Sequence, residues 1–213
     1  MLVQDNITDW AEEPYFFKGN EPLLLDNPQT IWLVQSGSLA LFAIGVQHGI
    51  PTGRRRYLFS VKAGELMFGA TLNLEDEQYQ ILAIALEETE LLQSQTQFSQ
   101  WFTEEPEDTL KRIESWIHQL GSTLAGISSP TLPTPLETAG CGILSSGEVF
   151  QPPQGTVVWV QILQGQVNLL GFNGLELMPD LGRIPLEMHL WLQASDIVEL
   201  DYIYGKEITD IDS

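Results

Sequence analysis

The chain carries the stretch Val34-Gln35-Ser36-Gly37-Ser38-Leu39-Ala40-Leu41, in which Gly37 separates two short, mainly apolar runs. The stretch Ile162-Leu163-Gln164-Gly165-Gln166-Val167-Asn168-Leu169 repeats this pattern later in the chain. A second pair of blocks, Val61 to Met67 and Leu192 to Val198, follows in the same order. Two matched blocks in the same order indicate a duplicated module. We therefore expect Gly37 to correspond to Gly165, and Ala63 to Ala194.

The regions around both blocks are rich in strand signals. From Phe16 to Gln93, and again from Glu137 to Tyr204, short apolar runs alternate with turn signals such as Asn27-Pro28. Strands of this length and spacing favour a β-barrel or sandwich over βαβ units. The sequence thus predicts two β modules.

A helical segment separates the two modules. Apolar residues recur there at steps of three and four, which is the spacing of a helical face; they are Leu110, Ile113, Ile117, Leu120 and Leu124, with Trp116 beside them. Pro106 suits the first turn, and Gly126 suits the end. Such a face either packs on its own protein or binds a partner helix.

These segments set the predicted domain boundaries. We expect a first jelly-roll module over residues 1–93 and a helical connector over residues 94–127. A Pro-rich linker follows over residues 128–136, because its prolines cannot sustain a helix. The second jelly-roll module takes residues 137–213. The fold class is therefore mainly β, with an α-helical insert.

Composition excludes several classes of partner. The 213 residues include 9 Lys and Arg against 29 Asp and Glu, a net charge of −20. Such a chain repels phosphate backbones and anionic lipid, so we expect neither nucleic-acid nor membrane-surface binding. Its apolar runs, such as Leu39 to Ile44, are too short to span a bilayer. One cysteine and the polar residues after Met1 favour a cytoplasmic protein without a secretory signal.

The order of the blocks resembles the cyclic-nucleotide-binding-like branch of the cupin jelly rolls. The first module also resembles the cytosolic N-terminal region of ABC exporters for microcins with nitrile-hydratase-like leaders, the NHLM bacteriocin export systems. The resembling residues are Gly19 to Asp26, Ile31 to Leu41, and Gly53-Arg54-Arg55-Arg56-Tyr57-Leu58-Phe59 through Gly69. The resemblance implies the soluble front end of a longer transporter. Membrane helices and a nucleotide-binding domain would then follow Ser213.

The resemblance does not extend to a nucleotide pocket. Cyclic-nucleotide-binding proteins open this site with Phe-Gly-Glu, whereas here Phe68-Gly69 is followed by Ala70. No Lys or Arg occurs between Lys62 and Lys111, and Glu75, Asp76 and Glu77 stand where the phosphate would lie. After Asp196 the second copy offers only Lys206. Both pockets are interpreted as degenerate, so neither cyclic AMP nor cyclic GMP should bind.

Candidate catalytic groups are sparse. A cupin metal site needs two or three histidines and a carboxylate. The histidines here are His48 in an expected hairpin loop, His118 on the helix and His189 in an expected strand, without a His-x-His pair. Cys141 has no visible base and is interpreted as a small buried residue. Asp210 and Asp212 resemble only fragments of a calcium loop. Walker and Gly-x-Ser-x-Gly motifs are absent from the sequence, so we predict no enzyme and no cofactor.

The unusual charge feature is Arg54-Arg55-Arg56, a basic cluster in an acidic chain. One interpretation is a solvated hairpin tip. The other is a docking site for an acidic surface, which could belong to another domain of the transporter, a second copy of this chain, or a leader peptide.

Three functions are carried forward. The leading hypothesis is a non-catalytic regulatory or docking module of a peptide exporter. The alternative is a small-molecule sensor that holds a neutral or apolar ligand inside one barrel. A cupin metalloenzyme is the third.

Overall fold

A computed structural model describes residues 13–74, 77–94, 106–123, 140–173, 175–205 and 207. The chain divides into two compact units, Met1–Arg112 and Ile113–Ser213. The division falls inside the predicted connector. The predicted linker over residues 128–136 lies outside the described residues, as do Gln95 to Phe102, Gly126, Asp210 and Asp212.

The described residues of the first unit form two antiparallel sheets. Its strands are β1 (Tyr15–Phe17), β2 (Pro22–Leu25), β3 (Ile31–Ser36), β4 (Ser38–Gln47), β5 (Ile50–Lys62), β6 (Leu66–Phe68), β7 (Thr71–Leu74), β8 (Glu77–Ala85) and β9 (Thr89–Gln93). One sheet has the order β1-β9-β3-β6, and the other has the order β2-β8-β4-β5, with β7 also paired to β8.

The second unit repeats this arrangement. Its strands are β10 (Gly140–Leu144), β11 (Val149–Phe150), β12 (Val158–Gln164), β13 (Val167–Leu169), β14 (Glu176–Leu177), β15 (Ile184–Leu186), β16 (Leu192–Ala194) and β17 (Val198–Tyr204), with a short 3-10 helix at Pro179–Leu181. The sheet orders are β10-β17-β12-β15 and β11-β16-β13-β14. Apart from the extra β7, the two units share one jelly-roll strand order, and the predicted fold class is confirmed.

The correspondence of Gly37 with Gly165 is confirmed in detail. Both have a positive φ, 81° and 87°. A Cβ on Gly37 would lie 2.5 Å from the carbonyl oxygen of Glu88, and one on Gly165 would lie 2.5 Å from that of Ile197. Each glycine therefore packs against the turn that opens the last strand of its own unit. Both ladders also shift register just before the glycine.

The second pair of sequence blocks was matched wrongly. Ala194 ends β16 and pairs with Val167, just as Ala85 ends β8 and pairs with Leu39. Ala194 therefore corresponds to Ala85, and not to Ala63, which follows β5. The error has a physical origin, because an acidic turn enters both β6 and β9 in the first unit. The long β4–β5 ribbon also shrinks to the short pair β13–β14 in the second unit.

Each unit has its own apolar core. In the first, Val34, Leu39, Leu41 and Leu91 are wholly buried. In the second, β12 alternates buried and half-buried residues, as expected for a strand with one face on the core. Its core residues include Val158, Val160, Val167, Leu192, Val198 and Leu200.

The predicted helix, here α1, runs over Pro106–Ser122. Pro106 occupies its start, and Glu107 and Asp108 lie in the first turn, where carboxylates complement the helix dipole. Leu110, Ile113 and Trp116 are buried. Ile117 packs against the core of the second unit. The helical face is therefore at least partly covered by its own protein. No helix among the described residues is both long and apolar enough to cross a membrane.

Candidate functional site

The three arginines lie within β5 and not at a hairpin tip. The tip of the β4–β5 ribbon is formed by His48 and Gly49, which places His48 in a loop as predicted. Arg54, Arg55 and Arg56 follow several residues later, inside the strand. We call this three-residue segment the arginine cluster. The expectation of a tip was wrong because the ribbon extends beyond the cluster.

A bulge explains how three consecutive arginines can all be exposed. Thr52 pairs with Gly45, and Arg56 pairs with Ala43, so three residues of β5 face Ile44 alone. Extra residues of this kind interrupt the alternation of faces along a strand. Gly53 opens the bulge with a φ of 80°, a conformation that glycine adopts at little cost. All three arginine side chains are exposed as a result.

The surroundings leave the cluster accessible. β5 ends the order of its sheet, and no other strand in the described ranges pairs with its outer edge. The ion pairs found within those ranges include none of the three arginines. A surface cavity of about 380 Å³ borders the cluster, and its lining includes Gln47, Thr52, Arg54, Gln78 and Tyr79. An arginine, an amide and a phenol are suited to a carboxylate-bearing group.

The second unit buries a carboxylate that the sequence analysis missed. Glu187, between β15 and β16, is 2% exposed. Its Oε1 accepts a 2.7 Å hydrogen bond from the backbone N–H of His189 and lies 3.1 Å from His189 Nδ1. His118 of α1 brings its Nδ1 to 3.8 Å from Oε2. The carboxylate is therefore flanked by imidazoles from two elements. His189 lies in a turn, which corrects the predicted strand position.

Gly121 lets α1 approach this carboxylate. A Cβ at Gly121 would overlap Oε1, Cδ and Cγ of Glu187. A glycine inside a helix costs up to about 1 kcal/mol relative to alanine, so its presence here has a steric reason. One sequence signal could have found the site. Glu187 is set among Leu186, Met188, Leu190 and Trp191, and a carboxylate buried in an apolar segment needs partners.

Glu114 adds a fourth titratable group next to His118. Burial raises the pKa of Glu114 above its ordinary value of 4.5, and the charge of His118 opposes the rise. A raised folded-state pKa favours the protonated form in the folded protein. The contribution of the Glu114 carboxyl group to folding stability is therefore fully present below its pKa in the unfolded chain. It is lost as the pH rises through its pKa in the folded protein.

We therefore expect Glu114→Gln to stabilise the protein at neutral pH, by less than about 1 kcal/mol because the side chain is only half-buried. The gain should shrink as pH falls through 4.5. Urea denaturation at several pH values would measure it. Glu107→Gln, exposed in the first helical turn, is the control and should give no gain at neutral pH. A Glu114→Gln gain that grows towards low pH would contradict the prediction.

The segment expected to form the degenerate nucleotide pocket of the first unit contains no helix among its described residues. β6 ends at Phe68 and β7 begins at Thr71, so Gly69 and Ala70 join two strands without a helix. A cyclic phosphate is normally held by the amides at a short helix start. Glu75 and Asp76 lie outside the described residues.

Cys141 differs from its prediction. It is exposed on the edge strand β10, whereas a small buried residue was expected. The strand alternates, which places this side chain on the outer face, with Sγ 3.8 Å from Oδ1 of Asp201. Asp201 is itself paired with Arg183. In the described ranges, no group of three or more His, Cys, Asp or Glu residues is arranged to hold a metal ion.

The strand orders define the chain as a pair of jelly-roll modules. No family model and no curated protein matches the chain. Among solved structures it is similar to the reduced Fe(II) CO-sensing protein from R. rubrum, with 13% identity over 52% of this chain and 47% of that chain and a TM-score of 0.37.

Two further structures are similar to the chain. One is the c-di-GMP responsive global regulator CLP from Xanthomonas campestris, with 18% identity over 56% of this chain and 54% of that chain and a TM-score of 0.36. The other is cAMP-bound PfPKA-R, with 9% identity over 96% of this chain and 74% of that chain and a TM-score of 0.32. The chain spans about half the length of the first two proteins. At these values the similarities assign no ligand, partner or activity to it.

Proposed function

We propose that this chain is a non-catalytic docking and regulatory module that binds an acidic partner through the arginine cluster. One observation carries the proposal: Arg54, Arg55 and Arg56 are all exposed, within or next to a bulge of an edge strand. In a chain of net charge −20, three adjacent guanidinium groups create a local field opposite in sign to the rest. Such a patch attracts carboxylates and steers their approach.

The partner is proposed from the sequence resemblance. A module that resembles the cytosolic front end of NHLM bacteriocin exporters would meet two acidic candidates, a cargo leader peptide and another domain of the parent transporter. Docking would regulate by contacting one state of the transporter better than another. The alternative, a sensor of a neutral ligand inside a barrel, is supported less well. The cavity at the cluster has an arginine and two amides in its lining and lies on the ribbon.

The triple substitution Arg54→Gln, Arg55→Gln and Arg56→Gln should weaken binding of an acidic peptide by at least about tenfold at low ionic strength. Stability should hardly change, because exposed charges are worth roughly 0–1 kcal/mol each. High salt should remove most of the difference, since exposed charges are screened within about 8 Å at physiological ionic strength. Calorimetric titration at low and high salt measures both effects.

The control removes the same charge elsewhere in the first unit. Lys18 and Lys111 are exposed and lie outside β5, and their double Gln variant changes the net charge as much as the double variant Arg54→Gln and Arg55→Gln, with which it is compared. It should retain more of the binding than the arginine variant. Equal loss in the two variants would show that binding follows the total number of cations and not the position of the arginine cluster, and the docking proposal would fail.

A further inference from the structure

The outer edge of β5 offers more than charge. β5 runs over Ile50–Lys62 and, among the described strands, pairs with β4 on one side only. At its last residue, Lys62, the backbone N–H and C=O are bonded to Glu65. The unpaired backbone N–H and C=O groups of an edge strand form a template for another strand. Ile50 and Tyr57 are also exposed, at 64% and 56%. An extended partner could therefore gain main-chain hydrogen bonds and apolar contacts along this edge.

The charge of the arginine cluster determines which kind of strand can pair with the outer edge of β5. Natural sheets place positive side chains on exposed edges, which discourages pairing between identical strands. Two copies of β5 would bring their arginine clusters together, and like charges on paired strands are destabilising. A strand that bears carboxylates would instead be attracted by the arginine cluster. The edge thus disfavours a second copy of this chain and favours an acidic segment.

The ladder with β4 divides this edge into two parts. Tyr57 pairs with Phe42 and Ser60 with Ala40, so a second shift of register falls between them. Tyr57 and Ser60 therefore lie on one face of the strand, and their hydroxyl oxygens are 3.0 Å apart. Beyond the shift, Phe59 and Val61 are buried while Ser60 and Lys62 are exposed. The carboxyl-terminal part of β5 thus alternates as a regular strand. Most cations of β5 lie in its preceding part, in the arginine cluster.

We propose that the acidic partner binds as an extended strand added to the outer edge of β5, with its carboxylates at the end that meets the arginine cluster. This inference rests on the proposed docking function and specifies its geometry. Backbone pairing supplies affinity, and the charged end fixes the position of the added strand. The bulge at Gly53, Arg54 and Arg55 marks the end of regular pairing, because it disrupts the ladder.

The test uses the full chain and a short synthetic peptide in which three Glu residues are followed by alternating Thr and Gln. A second peptide is N-methylated at two adjacent central residues, which removes a donor from each edge and leaves the charge unchanged. Strand addition predicts at least about tenfold weaker binding of the methylated peptide. Amide hydrogen exchange should slow between Arg56 and Val61 with the unmodified peptide and stay unchanged with the methylated one.

The outcomes separate the two proposals. If both peptides bind equally and both lose affinity in the triple Gln variant, docking by charge stands and strand addition is overturned. If neither peptide depends on the arginines, the docking proposal fails as well. A salt-dependent dimer of the chain alone that protects the same amides would assign the edge to a second copy and overturn the inference.

Discussion

Substitution of Gly165 by Ala is expected to destabilise the second unit by about 3–5 kcal/mol. Gly165 has a φ of 87°, which costs a non-glycine residue roughly 1–2 kcal/mol. The new Cβ would also lie 2.5 Å from the carbonyl oxygen of Ile197 and 3.0 Å from the Cα of Val198. These are backbone atoms at the start of β17, so relief of the clash must displace a central strand. Urea denaturation measures the loss.

Other glycines isolate the steric part of this effect. Gly147 and Gly155 also have positive φ, 86° and 76°, but an added Cβ at either position meets nothing within 4 Å. Alanine there should cost only about 1–2 kcal/mol. The duplication makes the same prediction for the first unit, with Gly37→Ala as the severe change and Gly64→Ala as the mild one. Equal losses in all of these variants would show that packing at the two turns is unimportant.

The duplication of the β module could be predicted from the sequence because the deciding pattern is local. A strand, a glycine in a left-handed conformation and a second strand lie within eight consecutive residues in each unit. The later correspondence failed because acidic turns recur in this chain, and local similarity could not distinguish the turn before β6 from the turn before β9. The shortened ribbon of the second unit also gives no local signal.

The candidate sites were predictable to different extents. Exposure of Arg54, Arg55 and Arg56 follows from their charge, and Gly53 inside a strand pattern is a signal of a bulge. The position of the ribbon tip was not evident, because His48-Gly49 and Gly53 are both plausible turns. Glu187 was missed because its partners are distant in sequence. His118 reaches it from α1, and only the tertiary fold brings the two side chains together.

The contact between Gly121 and Glu187 is the basis of a second prediction about folding stability. Glu187→Ala should cost about 2–4 kcal/mol, because it leaves the backbone N–H of His189 without its acceptor and opens a void beneath α1. Gly121→Ala should cost about 2 kcal/mol although alanine is the better helix former by about 1 kcal/mol. Glu187 is 2% exposed and held by His189, so it cannot move aside freely.

The double variant of Gly121 and Glu187 tests whether the two losses of stability arise from the same contact. With the carboxylate removed, the methyl group that Gly121→Ala introduces enters the void, and the helix gains the propensity of alanine as well. The Gly121→Ala and Glu187→Ala double variant should therefore be at least as stable as Glu187→Ala alone. Residues in direct contact typically show couplings of about 0.5–3 kcal/mol. Glu176→Ala, at an exposed strand position, should change stability by less than about 0.5 kcal/mol. Strictly additive losses would mean that Gly121 is not required by the buried carboxylate, and its place in the helix would need another cause.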